Sequence, residues 1–215
     1  LGDNMPAHAR NRITTVKMAK PTAFEWVEQY AIPNRLSPAV IGTVLEFPTM
    51  LASFEDYEKP EQNLYINDPR TVRPAFVSPR SLEKASDLVQ ALGDMGGDVL
   101  AHALVGTIGE AAAMDMMTMI RLDNDLPRWA DIVDDPTRTP VPKNAAATCM
   151  LVAKACMVLD KDSADNWMTY LMRMSAEAQG LFARMVMRNA TDVRALVVRN
   201  RLFSTLLIEK NYLWG

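Results

Sequence analysis

Apolar residues recur at helical spacing along most of the chain. The clearest stripe has intervals of three, four and three positions and consists of Leu82, Ala85, Val89 and Leu92. These intervals follow the 3.6-residue period of a helix that buries one face. A second stripe follows Ser37 and consists of Val40, Ile41, Val44 and Leu45. The pattern therefore predicts a protein built mainly from amphipathic helices.

Local capping signals mark several helix starts. The serine–proline pairs at positions 37–38 and 78–79 place serine at the N-cap and proline at the first helical position, where each residue is favoured. Thr22 and Glu25 have the spacing of a capping box, which satisfies two free N–H groups reciprocally. This box predicts a helix that continues through Tyr30.

The second half of the chain predicts a series of further helices. We expect them near residues 107–121, 144–159, 163–174, 176–189 and 192–209, with Ser163, Ser175 and Thr191 at cap positions. A polar connection that contains prolines separates the first two. Residues 47–77 are expected to be irregular, because four prolines interrupt them. Such a long irregular stretch is often functional or a mobile insertion.

Only one segment favours a β-strand. Residues 13–18 are rich in β-branched side chains and alternate weakly, and a short helix is expected before them at residues 5–11. The predicted fold class is thus mainly α, with one short N-terminal strand. A lone strand leaves an unpaired edge, so we expect this segment to be mobile, rearranged or covered by another chain.

Composition and charge narrow the classes of function. The 215 residues include 49% apolar and 23% charged positions, carry a net charge of −3 and have a pI near 5.5. This balance is typical of a globular protein and argues against a general nucleic-acid coat, which needs a basic excess. Contact with nucleic acid remains an alternative through five arginines that do not share one helix face: Arg184, Arg188, Arg194, Arg199 and Arg201.

Targeting features and cysteines indicate a cytoplasmic protein. The longest apolar stretch, residues 104–120, is interrupted by Glu110 and Asp115, and no run of about 18 apolar residues predicts a membrane span. No secretory signal is recognisable. Cys149 and Cys156 lie seven residues apart in a helical pattern, about 10 Å along the axis. They are therefore interpreted as two reduced thiols in the core.

The chain lacks a self-contained catalytic motif. A phosphate-binding Gly-x-x-x-x-Gly-Lys-Ser/Thr loop is absent, and the glycines at 93–97 are best explained as a helix break. Neither His8 nor His102 has a nucleophile nearby in sequence. No metal-ligand spacing occurs, so no metal site is predicted.

Two arginines are candidate site residues. Arg80 is the second helical residue after Ser78 and Pro79 and points away from Leu82. A helix start carries free N–H groups and partial positive charge, so a phosphate there would bind both the arginine and the helix end. The alternative is a solvated surface arginine. Arg12 lies at the junction of the predicted helix and strand, from which it could reach a neighbouring subunit; a surface position is again the alternative.

Several segments together resemble the MoxR-type AAA+ ATPases. Residues 5–13 (MPAHARNRI) and 20–26 (KPTAFEW) resemble the region that follows sensor 1 in that family, and residues 76–83 (FVSPRSLE) resemble the start of its sensor 2 helix. Residues 104–112 (LVGTIGEAA), with DLP at 125–127 and PVP at 140–142, resemble the C-terminal helical extension of a phage and bacterial subgroup. The resemblance covers essentially the whole chain.

The resemblance implies roles for individual residues. Arg12 would be the arginine finger, acting in trans on ATP held by the adjacent subunit. Arg80 would be the sensor 2 arginine, with Ser78 and Pro79 beside it at the nucleotide site. The intact parent would use ATP and Mg²⁺, assemble into a homo-oligomeric ring of six subunits, and remodel a protein partner. Such ATPases are often paired with a von Willebrand factor A-domain protein.

The chain departs from this family because the P-loop lysine, the Walker B acid and the sensor 1 residue are missing. Since the chain begins at Leu1, we expect it to be a C-terminal portion that binds no ATP or Mg²⁺ on its own. Its expected parts are the end of the α/β core (1–20), a helical lid with an irregular insertion (21–104, insertion 47–77) and an all-helical extension (105–215).

The second hypothesis for function is a stand-alone helical interaction module without catalytic activity. It is based on two groups of methionines on predicted helices. The first group is Met114, Met116, Met117 and Met119, and the second is Met168, Met172 and Met174. Methionine surfaces can repack against varied partners, whereas buried methionines would be core fillers.

Overall fold

A computed structural model describes residues 12–14, 16, 19–92, 97–188 and 192–209. Within them the fold is mainly helical and contains no β-strand. The helices, numbered here in chain order, are α1 Ala23–Trp26, α2 Pro38–Glu46, α3 Pro79–Leu92, α4 Gly97–Ile108, α5 Glu110–Asn124, α6 Trp129–Asp134, α7 Ala145–Val158, α8 Ala164–Leu171, α9 Ala176–Arg188, α10 Asp192–Val197 and α11 Arg201–Glu209. A π-helical turn, Val27–Ala31, continues α1.

The centre of the fold is α2, which is buried along nearly its whole length. It packs against α7 on one side and α5 on another, while α3, α4 and α5 pack successively on one another. Gly42 of α2 makes the α2–α7 crossing close, because a Cβ built at this position would lie 2.2 Å from Met150 Cγ on α7. The core thus depends on a glycine facing a buried methionine.

The predicted helix starts of the first half are confirmed. The Thr22 side chain accepts a hydrogen bond from the Glu25 N–H at 3.3 Å, and the Thr22 N–H donates to Glu25 Oε2 at 3.0 Å. The second predicted start differs in detail, because α2 begins at Pro38 but the Ser37 side chain makes no capping hydrogen bond. Proline in the first turn and burial of the helix are sufficient to start α2 without a side-chain cap.

Two predicted helices are wrong in their extent. The helix expected at 107–121 is divided at Gly109, whose φ of 85° ends α4 and starts α5. The helix expected at 192–209 is divided into α10 and α11. Of the expected C-terminal caps, the Ser175 hydroxyl accepts from the Ala178 N–H, whereas Ser163 Oγ interacts with Asp160 instead; Thr191 lies outside the described residues.

The predicted strand is not found in the described residues. Ile13, Thr14 and Val16 are exposed and belong to no strand, and the rest of the segment lies outside the described residues, as do the expected helix at 5–11 and His8. A strand requires a neighbouring strand for its backbone hydrogen bonds, and the described part of the chain offers none.

The irregular segment 47–77 is folded onto the core and held by side chains. Three short 3-10 turns, Pro48–Leu51, Phe54–Asp56 and Pro60–Gln62, shape its first half. Its buried apolar residues are Met50, Leu51, Ile66 and Val77. The Tyr65 hydroxyl donates to Asp115 Oδ2 on α5 at 2.8 Å. The expected irregularity is confirmed, and the segment is an integral part of the fold.

Apolar residues from most of the helices share one core. Buried side chains of α2 and α3 belong to the same cluster as those of α5, α7, α8 and α9. The division of the chain at 104/105 stays a prediction; this position lies inside α4. None of the helices in the described part of the chain combines the length and hydropathy needed to cross a lipid bilayer.

Most of the methionines in the two predicted groups are core residues. Met116, Met119, Met168 and Met174 are buried, and only Met114 is largely exposed. Cys156 is buried and Cys149 half-buried, and both are free thiols, as expected. Burial is the main reason that the pKa of Cys156 rises to about 12.

The close α2–α7 crossing predicts opposite effects for two glycine substitutions. Gly42→Ala should lower the free energy of unfolding by about 1–3 kcal/mol, the usual cost of overpacking a core, because the new methyl group overlaps Met150. Gly106→Ala, on α4 with nothing within 4 Å of the added Cβ, should raise it by about 0.5–1 kcal/mol. Urea unfolding measures both, and equal effects would contradict the close crossing.

Candidate functional site

The start of α3 is fixed by reciprocal serine hydrogen bonds. Ser78 Oγ accepts from the Ser81 N–H at 3.1 Å, and the Ser78 N–H donates to Ser81 Oγ at 2.8 Å. Pro79 occupies the first helical position, as predicted. This cap holds the backbone on both sides of Arg80.

Arg80 is exposed and borders an open groove. The groove, called the Arg80 groove below, has a volume of about 460 Å³ and is lined by Pro21, Glu25, Trp26, Gln29, Tyr30, Pro79, Arg80 and Glu83. One wall is α1 with the π-helical turn, and the other is the first turn of α3. The Arg80 guanidinium makes no hydrogen bond or ion pair with a described residue.

Two aromatic rings form much of the first wall. The ring centroids of Trp26 and Tyr30 lie 6.2 Å apart with planes inclined by 30°. The Trp26 side chain is almost fully buried, and its Nε1–H has no hydrogen-bond partner among the described residues. A buried donor without a partner is costly. The exposed donor of the groove is therefore the Arg80 guanidinium, whereas the Trp26 Nε1–H is buried within the wall.

The carboxylates of the groove are already engaged. Glu25 accepts hydrogen bonds from the Thr22 backbone and side chain, which lower the pKa of Glu25. A hydrogen bond with Glu83 raises the pKa of the Tyr30 hydroxyl, and burial adds to this effect. The other exposed polar side chains of the groove are Arg80 and Gln29, which lie beside aromatic and proline surfaces. This combination suits a planar group that carries an anionic acceptor.

Lys20 lines two further cavities beside the Arg80 groove. Lys20 lines cavities of about 330 and 490 Å³, and Pro21 separates the smaller one from the Arg80 groove. Lys20 Nζ donates to the Ala52 carbonyl at 2.9 Å. Burial lowers the pKa of Lys20, although Asp56 opposes this effect. The lysine connects the chain before α1 to the irregular segment. Periodicity gives no sign of this role, because Lys20 and Ala52 are 32 residues apart in sequence.

Arg12 does not join Arg80 in a described cavity. It is exposed in a turn, and no described cavity includes it. His102 lies on α4 and its Nδ1 contacts the Asp98 carbonyl at 2.7 Å, within its own helix. Among the described residues no group of three or more histidine, cysteine or acidic side chains is arranged to hold a metal ion.

Sequence reasoning missed a buried carboxylate behind the groove wall. Glu28, in the π-helical turn, is only 4% exposed and lies 3.4 Å from Arg188 of α9. Its partner is 160 residues away along the chain, so periodicity gives no signal for the pair. Only the packed structure brings the two together.

Comparison of the chain with protein-family models, with curated proteins and with solved structures finds no match.

The two serine–proline helix starts predict unequal effects of removing the serine. Ser78→Ala should lower the free energy of unfolding by about 1 kcal/mol, because a capping hydrogen bond is lost. Ser37→Ala is the matched control, since the Ser37 side chain makes no capping bond, and should cost less than about 0.5 kcal/mol. Thermal or urea unfolding of both variants tests this, and equal losses would show that the Ser78 cap contributes little.

Proposed function

We propose that the chain is the helical lid and C-terminal part of a ring-forming ATPase that remodels a protein partner. The observation that carries the proposal is the Arg80 groove. Its arginine stands on a capped helix start beside two aromatic rings and has no hydrogen bond or ion pair with a described residue. The resemblance of residues 76–83 to a sensor 2 helix adds to it. Ring assembly, a von Willebrand factor A-domain partner and a cytoplasmic setting belong to the same proposal.

Arg80 has a simple physical role in this proposal. A guanidinium offers donors in a planar fork that matches phosphate oxygens, and the free N–H groups of the α3 start add partial positive charge. Arg80 would bind phosphate oxygens of a nucleotide held by the ATP-binding core, so the lid would take up a different position as the phosphate is lost.

Arg12 would act on the neighbouring subunit. Its exposure leaves the guanidinium free to extend across a subunit boundary. A fixed positive group stabilises the charge that develops on the transferring phosphoryl group. Arg12 and Arg80 therefore need not be neighbours within one chain.

The residues of the groove fit part of a nucleotide and no metal. The Arg80 guanidinium suits acceptor groups, and the aromatic wall suits a planar ring. The described residues assemble no set of metal ligands, so Mg²⁺ and the triphosphate would be held by the missing Walker motifs. When bound there, ATP supplies the phosphoryl transfer, and this chain supplies positioning and charge.

In the complete ATPase, the proposal predicts unequal effects of three charge removals. Arg12→Ala should lower turnover by on the order of a thousandfold, as for other arginine fingers, and Arg80→Ala by on the order of a hundredfold. Lys84→Ala, one turn further along α3 and exposed, is the matched control and should leave turnover within about twofold. Steady-state phosphate release measures all three, and near-normal rates in both arginine variants would refute the assignment.

The coding sequence upstream of Leu1 separates this proposal from the stand-alone module. The ATPase proposal predicts an in-frame P-loop and Walker B segment before residue 1. A start codon directly before Leu1, with no such segment upstream, would favour the module. This observation requires no folded protein.

A further inference from the structure

The segment made of α1 and the π-helical turn, called the turn below, forms one wall of the Arg80 groove and also contacts α9. Its groove residues are Glu25, Trp26, Gln29 and Tyr30. The same turn meets α9 through Phe24 and Glu28, whose partners are Arg184 and Arg188. Arg184 and Arg188 are one helical turn apart and therefore lie on the same face of α9. One short turn is thus shared by the groove and the C-terminal helices.

The first contact places a guanidinium on an aromatic face. Arg184 Cζ lies 3.7 Å from the centroid of the Phe24 ring. Such a stacked arrangement is favourable for arginine, whose planar cation is weakly hydrated. It holds α9 against the turn and places a second positive charge near Glu28.

The second contact involves a buried and poorly satisfied carboxylate. The Glu28 side chain is 3% exposed, and its Oε1 has no hydrogen-bond partner among the described residues. Its Oε2 accepts from Arg188 Nη1 at 3.4 Å, longer than the 2.7–2.9 Å or so of a strong charged hydrogen bond. The partner arginine is more than half exposed. A buried carboxylate with one weak partner stabilises the fold poorly.

The charged and titratable groups around Glu28 come from every element packed on it. Arg188 and Arg184 face it from α9, Glu25 from α1 and Cys156 from α7. Burial raises the pKa of Glu28 above its ordinary value, and the two arginines oppose this effect without cancelling it.

We propose that Arg188 is a positioning residue of the Arg80 groove, and that its pairing with Glu28 couples the groove wall to the docking of α9. The π-helical turn supports this reading, because π-helical turns within helices are frequent at functional sites. Coupling is reciprocal: whatever binds in the groove and orders the turn also strengthens the docking of α9, and displacement of α9 loosens the groove. The turn and the first turn of α3 line the same groove, so a displacement of the turn changes the space beside Arg80. Ligand occupancy in this scheme rests on the proposed function, but the coupling between the turn and α9 does not.

Hydrogen exchange of the 215-residue chain tests the coupling without any nucleotide. At pH 7, Arg188→Ala should speed amide exchange of residues 26–31 and of the first turn of α3 by about fivefold, since one partly exposed charged contact is lost. Arg121→Ala, which removes an exposed arginine on α5 that forms no ion pair with a described residue, is the control and should leave these amides unchanged. Faster exchange confined to α9 would overturn the proposal.

Charge specificity distinguishes positioning from a merely structural role. Arg188→Lys should retain most of the protection, and Arg188→Ala should have less than about a twofold effect in a Glu28→Gln background. An equal effect of Arg188→Ala in both backgrounds would show that Arg188 does not act through Glu28, and would overturn the proposal.

The pH dependence of unfolding gives an independent measurement. Because the folded-state pKa of Glu28 is raised, its contribution to stability is complete below the ordinary value near 4.5 and is lost as pH rises through the folded-state pKa. Glu28→Gln should remove this loss and should not destabilise the chain at pH 7. A Glu28→Gln variant that is strongly destabilised at pH 7 would contradict the argument. None of these results depends on ATPase activity, so a failure of the proposed function leaves them interpretable.

Discussion

The close crossing of α2 and α7 is the contact on which the rest of the structure depends. Gly42 permits it, and the buried Met150 side chain fills the space that a Cβ at position 42 would occupy. Because α2 is buried on nearly all sides, α5 and α3 pack against it at fixed positions as well. Interiors packed at crystal-like density transmit such constraints over several helices.

The Arg80 groove follows from this arrangement. The chain leaves the π-helical turn and enters α2 within a few residues, and the Ser37 N–H donates to Ser86 Oγ of α3 at 2.8 Å. This bond ties the start of the central helix to the helix that carries Arg80. The two walls of the groove are thus attached to one buried element, while α9 holds the first wall from behind through Arg184 and Arg188.

The sequence predicted interactions between residues that are close together along the chain. The capping boxes at Thr22 and Ser78 involve residues three positions apart, so periodicity and residue type were sufficient to find them. The break at Gly109 was not predicted; there φ is 85°, and an added Cβ would approach the Ala75 carbonyl oxygen, 34 residues away in sequence, to 3.0 Å. The Glu28–Arg188 pair and the Lys20–Ala52 contact were beyond reach, because separations of 160 and 32 residues leave no periodic signal. Helix periodicity predicted that Arg80 points away from the buried stripe, but it gave no sign of the groove or of its aromatic wall.

The side chains that hold the irregular segment 47–77 also affect its cleavage by a protease. Arg70 is paired with Asp68 and Glu61 and stacks on Phe54, and Arg73 donates to the carbonyls of Asn63 and Ile66. Trypsin must take the Arg70 side chain into its own specificity pocket, which requires this guanidinium to leave its partners first; Arg73 precedes Pro74, a bond that trypsin does not cleave. A stretch without regular secondary structure is therefore protected at Arg70, and its resistance to digestion there depends on the same charges that shape it.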